Sequence, residues 1–514
     1  MDSNAIAAPT PERHENILVI MGALMLTMLL AALDQTIVST ALPTIANDFH
    51  ALNELSWVVT AYLLTSAVAT PLYGKLSDLF GRKRMLSIAV IIFLIGSILS
   101  GLSGSMGQLI AFRAIQGIGA GGLMSLVLAT IGDVVSPRER GKYQGLIGAV
   151  FGVSSVVGPL LGGFFTDHLS WRWIFYINIP LGLIALVAIA AKLHIPTVRR
   201  EHKVDYFGAF LLTVSVMALL LATVWGGTTY AWGSIQIIWL LWAGIFFGYS
   251  FIWWQGHASE PILPLNLFKN DVFVVSSLLS FISGLAMFAA IIYLPEYMQI
   301  VRGYSATKSG LLMLPLVAGL LGASVFSGRI ISHTGKYKFF PLIGTAVTGL
   351  GLVLMSALAV DTNQWILSLW MFITGLGIGS FMQVMTLAVQ NTVEYKDLGT
   401  ATSAVTFFRS MGSSFGTSIF GALLASRFVA HLKDLAPTMA QSAGQGGAAG
   451  LNALRTLPAS VSGPAFHAFT RAFDDIFLYA SPIMLIAFVI AFFLREVPLR
   501  NEIKQEAEYD VVGI

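Results

Sequence analysis

The chain consists of long apolar runs that short polar segments separate. An α-helix needs about 20 apolar residues to cross the hydrocarbon core of a bilayer. The runs lie near residues 17–42, 55–73, 85–104, 108–132, 143–165, 174–192, 206–225, 236–255, 273–300, 309–331, 339–360, 364–390, 399–425 and 475–495. The pattern therefore predicts an all-α membrane protein with fourteen transmembrane helices.

Composition excludes most other classes of protein. Apolar residues make up 56% of the chain and charged residues only 11%, whereas a soluble domain has about 25% charged residues. The absence of cysteine excludes disulfides and thiolate metal ligands. The sequence has no GxxxxGK[ST] motif, and its histidines lack the spacing of metal ligands. We therefore expect no enzyme activity, cofactor or metal, and the net charge of +3 does not favour a nucleic-acid partner.

The distribution of Lys and Arg predicts how the chain is oriented in the membrane. An even number of spans places both termini on one side, and 20 of the 29 basic residues fall on that side. Seven fall on the opposite side, and two, Arg113 and Arg409, lie inside predicted helices. Short cytoplasmic loops carry an excess of Lys and Arg. We expect a multi-pass protein of the cell inner membrane with both termini in the cytoplasm.

An internal repeat divides the chain into two halves. The segment GRIISHTGKYK at 328–338 keeps both glycines and the basic tail of GKLSDLFGRKR at 74–84, at an offset of 254 residues. Two parallel six-helix halves predict a substrate site between them near the midplane of the bilayer. The expected organisation is a cytoplasmic tail at 1–16, a six-helix bundle at 17–192, a basic linker with two extra helices at 193–260, a second bundle at 261–500 with a partly disordered external loop at 426–472, and a cytoplasmic tail at 501–514.

The segment GKLSDLFGRKR forms a charged hairpin between two apolar runs. Its glycines permit a tight turn and close backbone approach, and Asp78 and Arg82 are spaced to face each other across one helical turn. Asp133, at the end of the fourth run, is placed to join them. The segment is either a basic turn that only sets topology or a latch that closes the cytoplasmic side. The candidate gate residues are Gly74, Asp78, Gly81, Arg82 and Asp133.

Three candidate charges, Asp34, Arg113 and Glu296, lie inside predicted helices, where charge is costly. Asp34 lies well inside the first run, in LDQTIVSTALP at 33–43, and Arg113 lies in LIAFRAIQGIGAGG on the fourth run. Asp34 is either a structural acid or a group that exchanges protons, and Arg113 is either its partner or a structural residue bonded to carbonyl oxygens. Glu296 on the ninth run either couples to protons or lies solvated at the external mouth.

Aromatic and amide residues predict the lining of the cavity, because aromatic faces suit bulky cationic solutes. The cavity candidates are Trp57, Tyr62, Gln116, Tyr293, Tyr297, Gln299 and Gln383. The fifth run carries small residues and a proline at Gly158, Pro159, Gly162 and Gly163. They indicate a bend with close packing, and packing alone explains them as well as a transport motif does.

Several motifs together resemble the fourteen-helix drug:proton antiporter branch of the major facilitator superfamily. They are the segment 74–84, the LDQTIV start of helix 1, RAIQGIGAGG, GPLLGG and WRWIFYINIP at 171–180. The resemblance implies that Asp34 is the proton-linked acid, Arg113 its helix 4 arginine, and Asp78, Arg82 and Asp133 the cytoplasmic gate. Leu79 and Ser154 depart from the family pattern, where a basic residue and a glycine are usual.

The resemblance implies a monomeric proton-driven exporter of amphiphilic, often cationic or aromatic, small molecules in the lipid bilayer. Its two halves would rock around a central cavity. One alternative is an exporter of a lipid or another endogenous hydrophobic metabolite. Another is a membrane receptor or scaffold that does not transport.

Overall fold

The computed structural model describes residues 11–49, 51, 55–193, 204–227, 229–435 and 459–500. These ranges contain helices and connecting turns, and none of them forms a β-strand. The helices are α1 Pro11–Asp48, α2 Leu55–Phe80, α3 Arg82–Leu102, α4 Met106–Val134, α5 Pro137–His168, α6 Trp173–Tyr176, α7 Asn178–Lys192, α8 Tyr206–Trp225, α9 Ile235–Gln255, α10 Asp271–Ile300, α11 Ala306–Leu312, α12 Leu314–Thr334, α13 Phe339–Met355, α14 Gln364–Thr392, α15 Leu398–Leu435 and α16 Ala459–Phe492.

Polar caps fix where the apolar helices begin. The Ser105 hydroxyl accepts a hydrogen bond from the backbone of Gln108 at the start of α4, and Asn363 caps α14 in the same way. Asn270 accepts from two backbone nitrogens at the start of α10. Such caps satisfy the amide groups of the first turn, which have no partner within the helix. Each helix can therefore begin directly after a short polar turn.

Each of the fourteen predicted runs overlaps a helix of the structure. In the described ranges, eleven helical segments are long and apolar enough to cross a membrane. The confirmed statement is therefore an all-helical bundle with many membrane-crossing segments, and the number fourteen remains a prediction.

The helices extend further into the segment 426–472 than the sequence predicts. Helix α15 continues to Leu435 and α16 begins at Ala459, because their ends pack against each other. The Nε2 atom of His431 lies 2.9 Å from a carboxylate oxygen of Asp475. Residues 436–458 lie outside the described chain, as do most of the predicted tails and the basic linker at 194–203.

Two groups of helices each surround their own apolar core. One core draws its buried residues from positions 21–193 and the other from positions 272–499. We call α1–α7 the first half, α10–α16 the second half, and α8–α9 the inserted pair. The inserted pair lies against α2 and α15 through a shared apolar cluster.

The two halves meet along α2 with α15 and along α5 with α12. A Cβ atom at Gly152 on α5 would lie 2.6 Å from a methyl carbon of Val317 on α12, so the helices are in close contact there. The turn between α2 and α3, the turn between α4 and α5 and the start of α15 lie at one end of the bundle. We call this end, which holds residues 74–84, 133–140 and 394–400, the basic end.

Candidate functional site

Asp34 and Arg113 form an ion pair inside the first half. The side chains are 0% and 1% exposed, and Arg113 Nη1 lies 2.6 Å from Asp34 Oδ2. The other carboxylate oxygen accepts a hydrogen bond from Gln116 Nε2 at 2.8 Å. A buried charge is tolerated when it is paired and hydrogen-bonded. Asp34, Arg113 and Gln116 therefore meet at one site, where they satisfy one another's charge and hydrogen-bonding groups.

Arg113 is also held by α2. Its Nε donates to the carbonyl oxygen of Val58 at 3.3 Å, and its guanidinium carbon lies 4.1 Å from the centre of the Tyr62 ring. A guanidinium over an aromatic face gains a cation–π interaction. The position of Arg113 is thus fixed by α1, α2 and its own helix.

Asn178 at the start of α7 is a fourth member that sequence reasoning did not identify. Its Nδ2 donates to Asp34 Oδ1 at 3.1 Å and to the hydroxyl of Ser97 at 3.0 Å. Ser97 in turn donates to the carbonyl of Phe175 at 2.8 Å. The available signal was a single amide in the apolar segment WRWIFYINIP.

The fifth helix packs tightly beside this site. Thr36, two residues after Asp34, donates its hydroxyl hydrogen bond to the carbonyl oxygen of Ser154 at 2.8 Å. A Cβ at Gly158 would lie 2.7 Å from Cβ of Thr36 and collide with its hydroxyl. Glycine is therefore required for α1 and α5 to approach here. Pro159, Gly162 and Gly163 continue along the same helix.

A second charged cluster lies at the basic end. Arg82 Nη2 is 2.6 Å from Asp78 Oδ1, and Arg82 Nε is 2.6 Å from Asp133 Oδ2. Arg82 also donates to the hydroxyl of Ser77. All three charged side chains are almost completely buried, so the three predicted charges form one network that joins α2, α3 and α4.

Asp78 extends this network to the second half. Its carboxylate accepts hydrogen bonds from the backbone nitrogens of Gly399 at 3.2 Å and Thr400 at 2.8 Å, and from the Thr400 hydroxyl at 2.7 Å. A carboxylate at a helix N-terminus satisfies free amide groups and interacts favourably with the helix dipole. Asp78 thus connects the first half to the start of α15, a partner that the sequence did not reveal.

The two glycines of the hairpin have separate roles. Gly81 has φ 90°, a conformation that favours glycine, and it reverses the chain between α2 and α3. A side chain at Gly74 would collide with Ser403 and lie 3.0 Å from the carbonyl of Gly399 on α15. Gly74 therefore permits contact between the halves, and Gly81 permits the turn.

Arg140 forms another contact between the halves at the basic end. Its Nη1 donates to Gln390 Oε1 at 2.9 Å, while Gln390 Nε2 donates to the carbonyl of Leu128 at 3.0 Å and to the hydroxyl of Thr402 at 3.1 Å. Burial lowers the pKa of Arg140 to about 10, so the side chain remains a cation at neutral pH. Beside this contact lies a small, partly open cavity lined by Leu128, Ile131, Arg140, Ile147, Gln383, Thr386, Leu387 and Gln390.

Glu296 lies on α10 in the second half, apart from the Asp34 site. The described part of the chain gives its partly buried carboxylate no ion pair or hydrogen bond. Two tyrosines on the same helix are buried, and each donates its hydroxyl to a backbone carbonyl 2.7 Å away, Tyr293 to Thr417 and Tyr297 to Ala359. The tyrosines therefore fix α10 against its neighbours, whereas Glu296 keeps its hydrogen-bonding capacity.

The remaining cavity candidates are dispersed. Gln383 lines the cavity at the basic end, and Gln299 is partly buried near the opposite end of α10. Trp57 packs edge-on against Trp225 of the inserted pair, with ring centres 5.6 Å apart. A shared cavity for all of them remains a prediction. The described residues contain no group of three His, Asp or Glu side chains that could hold a metal.

Known proteins resemble this chain over most of its length. The sequence profile of the Major Facilitator Superfamily matches residues 24–417. An uncharacterised MFS-type transporter of Mycobacterium tuberculosis is 45% identical over 492 residues, which cover 94% of this chain and 70% of that protein. A multidrug transporter protein of Bacillus subtilis is 40% identical over 404 residues, covering 79% of this chain and 74% of that protein.

Solved structures show the same fold. The crystal structure of a human organic anion transporter superposes with a TM-score of 0.63 at 16% identity, over 94% of this chain and 100% of that one. At that identity the likeness concerns the fold alone. The chain therefore belongs to the Major Facilitator Superfamily and is a multi-pass membrane transporter rather than an enzyme.

Proposed function

We propose that this protein exports amphiphilic, often cationic or aromatic, compounds in exchange for protons. The observation that carries the proposal is the ion pair of Asp34 with Arg113, because ionisable residues inside membrane helices are costly to bury and typically mark proton or substrate pathways. The name of the Bacillus relative, a multidrug transporter protein, supports small-molecule drugs as the substrate class.

The proton would exchange at Asp34. In the present arrangement Arg113, Gln116 and Asn178 donate to its carboxylate, which suits the ionised form. A movement that withdraws Arg113 would leave the carboxylate in an apolar site without a counter-charge, where the neutral acid is favoured. One change of partner would therefore couple proton uptake to a change of conformation.

The second half would contribute recognition of cationic solutes. Glu296 has no partner in the described chain and lies one turn from the buried ring of Tyr293. A carboxylate beside aromatic rings attracts an organic cation through charge and through the ring face. Glu296 is thus the proposed acidic contact for cationic substrates, with a second exchangeable proton.

The basic end would face the cytoplasm of a cell with the protein in its inner membrane. The count of 20 basic residues against seven supports this orientation. The contacts of Asp78 with Thr400 and of Arg140 with Gln390 close this end of the path between the halves. Opening towards the cytoplasm would require both contacts to break as the halves rock.

Reconstitution in proteoliposomes tests the proposal. A pH gradient, with the lumen of the vesicle acidic, should drive accumulation of ethidium against its concentration gradient in vesicles whose protein is inserted with the basic end outside. Dissipating the gradient with nigericin should stop it. Uphill movement that persists without any ion gradient, or no ethidium movement at all, would contradict the proposal.

A further inference from the structure

Arg409 is a cation inside α15 that has no partner in the described part of the chain. It lies eleven residues beyond Leu398, the first residue of the helix, which is ~16 Å along the axis and close to the middle of a 30 Å hydrocarbon core. The side chain is partly buried, so part of its surface stays accessible.

The other arginines that are not exposed are all paired. Seven arginines with described side chains are not exposed, and six of them have a hydrogen bond or an ion pair: Arg82, Arg113, Arg140, Arg172, Arg302 and Arg427. Arg409 alone among these seven has neither. An unpaired guanidinium within a membrane is costly, so this cation requires a counter-charge that the described chain does not supply.

The surroundings of Arg409 are rich in hydroxyl groups. Thr402 and Thr406 stand seven and three residues before Arg409, and Ser413 stands four residues after it. All three therefore share its face of α15. Helix α10 lies so close that a side chain at Gly284 would collide with the Arg409 carbonyl. On α10 the hydroxyls of two buried serines, Ser276 and Ser277, have no hydrogen-bond partner.

This face of α15 is continuous with the path between the halves. The Thr402 hydroxyl accepts a hydrogen bond from Gln390, which lines the cavity at the basic end. Arg409 lies two turns further towards the middle of the membrane on the same face. Glu296 does not neutralise it, because it stands twelve residues beyond Gly284 on α10, which is ~18 Å along the axis.

We propose that Arg409 is the binding site for the carboxylate of a zwitterionic or anionic amphiphilic substrate. A guanidinium presents a planar set of donors that matches a carboxylate in a bidentate geometry. The inference rests on the proposed export function and extends its substrate class beyond cations. Arg409 would then determine specificity in the second half, while the Asp34 site handles the proton.

A matched pair of dyes tests the site. Rhodamine 110 carries a free carboxylate, and rhodamine 123 is its methyl ester with the same aromatic system. Binding of each dye to the purified full chain is measured by fluorescence polarisation. The wild-type protein should bind both, and Arg409→Gln should weaken rhodamine 110 by about tenfold or more, the effect of losing a hydrogen bond to a charged group. Rhodamine 123 should change by less than about threefold.

Two further variants separate the site from a structural role. Arg409→Lys keeps the charge but loses the bidentate geometry, so its loss for rhodamine 110 should be smaller than that of Arg409→Gln. Arg495→Gln changes an exposed arginine and should bind both dyes as the wild type does. Thermal unfolding of each variant reports whether it is folded. If Arg409→Gln does not fold, Arg409→Lys takes its place in the test. A loss of affinity for rhodamine 110 that exceeds its loss for rhodamine 123 then supports the site, and equal changes contradict it.

The outcomes are distinct. A selective loss of rhodamine 110 binding supports the site. Equal losses for the two dyes, unchanged binding of both, or a wild-type protein that binds only rhodamine 123 would overturn it. A wild-type protein that binds neither dye contradicts the proposed export function as well.

Discussion

The carboxylate of Asp78 accepts hydrogen bonds from the backbone nitrogen and the hydroxyl of Thr400, at 2.8 and 2.7 Å, although 322 residues separate the two in the sequence. Asp78 belongs to the first half and Thr400 begins α15 of the second. The same carboxylate is paired with Arg82, which is paired with Asp133. One acid therefore links a charged network in the first half to a helix N-terminus in the second.

Asp78→Asn should open the basic end more often. The amide keeps the shape of the carboxylate but removes its charge, so the ion pair with Arg82 and the interaction with the start of α15 are both weakened, by about 1–3 kcal/mol together. The readout is the rate at which a water-soluble maleimide labels Gln383→Cys, which lines the cavity. The chain has no native cysteine, so every label reports this site, and we expect labelling to be about five- to a hundredfold faster.

The matched control is Asp205→Asn, because Asp205 caps α8 within the inserted pair and does not join the halves. It should leave the labelling rate unchanged. Equal rates in the Asp78→Asn and wild-type backgrounds would mean that residues 74–84 set topology only.

Gln390→Met should also weaken closure at the basic end. Methionine has a similar size but removes the hydrogen bonds to Arg140, Leu128 and Thr402, and Arg140 remains a buried cation with only carbonyl partners. The loss of hydrogen bonds to a buried charge costs about 1–3 kcal/mol, so the melting temperature should fall.

Gln236→Met makes the same substitution at an exposed position in the first turn of α9 and should have no such effect. A Gln390→Met protein that melts with the wild type would show that this contact between the halves contributes nothing to stability.

The sequence predicts the helices well because an apolar run of about 20 residues is a local signal. It predicts the pairing of Asp34 with Arg113 for a related reason, since two charges inside apolar helices need partners and few are available. The contact between Asp78 and Thr400 could not be predicted, because a threonine at a helix start is common and no local sequence signal relates it to Asp78. The extent of α15 to Leu435 was missed because it depends on packing against α16 rather than on hydropathy.

Asn178 is a member of the Asp34 site that only the structure reveals. It is an amide in an apolar segment, and its role became clear only when α7 was seen against α1. Arg409 is the converse case, because the sequence places a charge in the membrane and the structure shows that no described residue pairs with it.

Glu296→Gln should impair export of cationic dyes more than export of neutral compounds of similar size. The amide cannot ionise, so it removes both the attraction for a cation and an exchangeable proton, and one charge crossing 100 mV corresponds to about 2.3 kcal/mol. Parallel efflux assays of a divalent cation, a monovalent cation and a neutral dye measure the effect, normalised to the inserted protein. The loss should be greatest for the divalent cation.

Gln299→Glu adds an acid three residues away on the same helix and provides a comparison. Made in the Glu296→Gln protein, this second change tests whether the position of the acid matters as well as its charge. It should not restore export of the divalent cation. An equal fractional loss for all three compounds in Glu296→Gln would remove Glu296 from the mechanism.

Proton release on substrate binding tests the central claim most directly, because Asp34 is proposed to exchange its proton for substrate. Tetraphenylphosphonium is added to the purified protein in a weakly buffered detergent solution, and the change in pH is followed with an indicator dye. The wild type should release protons in proportion to the ligand bound. Asp34→Asn, with the same shape but no ionisable group, should bind the ligand and release about one proton fewer per molecule than the wild type. Proton release that is the same in both proteins at equal ligand occupancy would contradict the account.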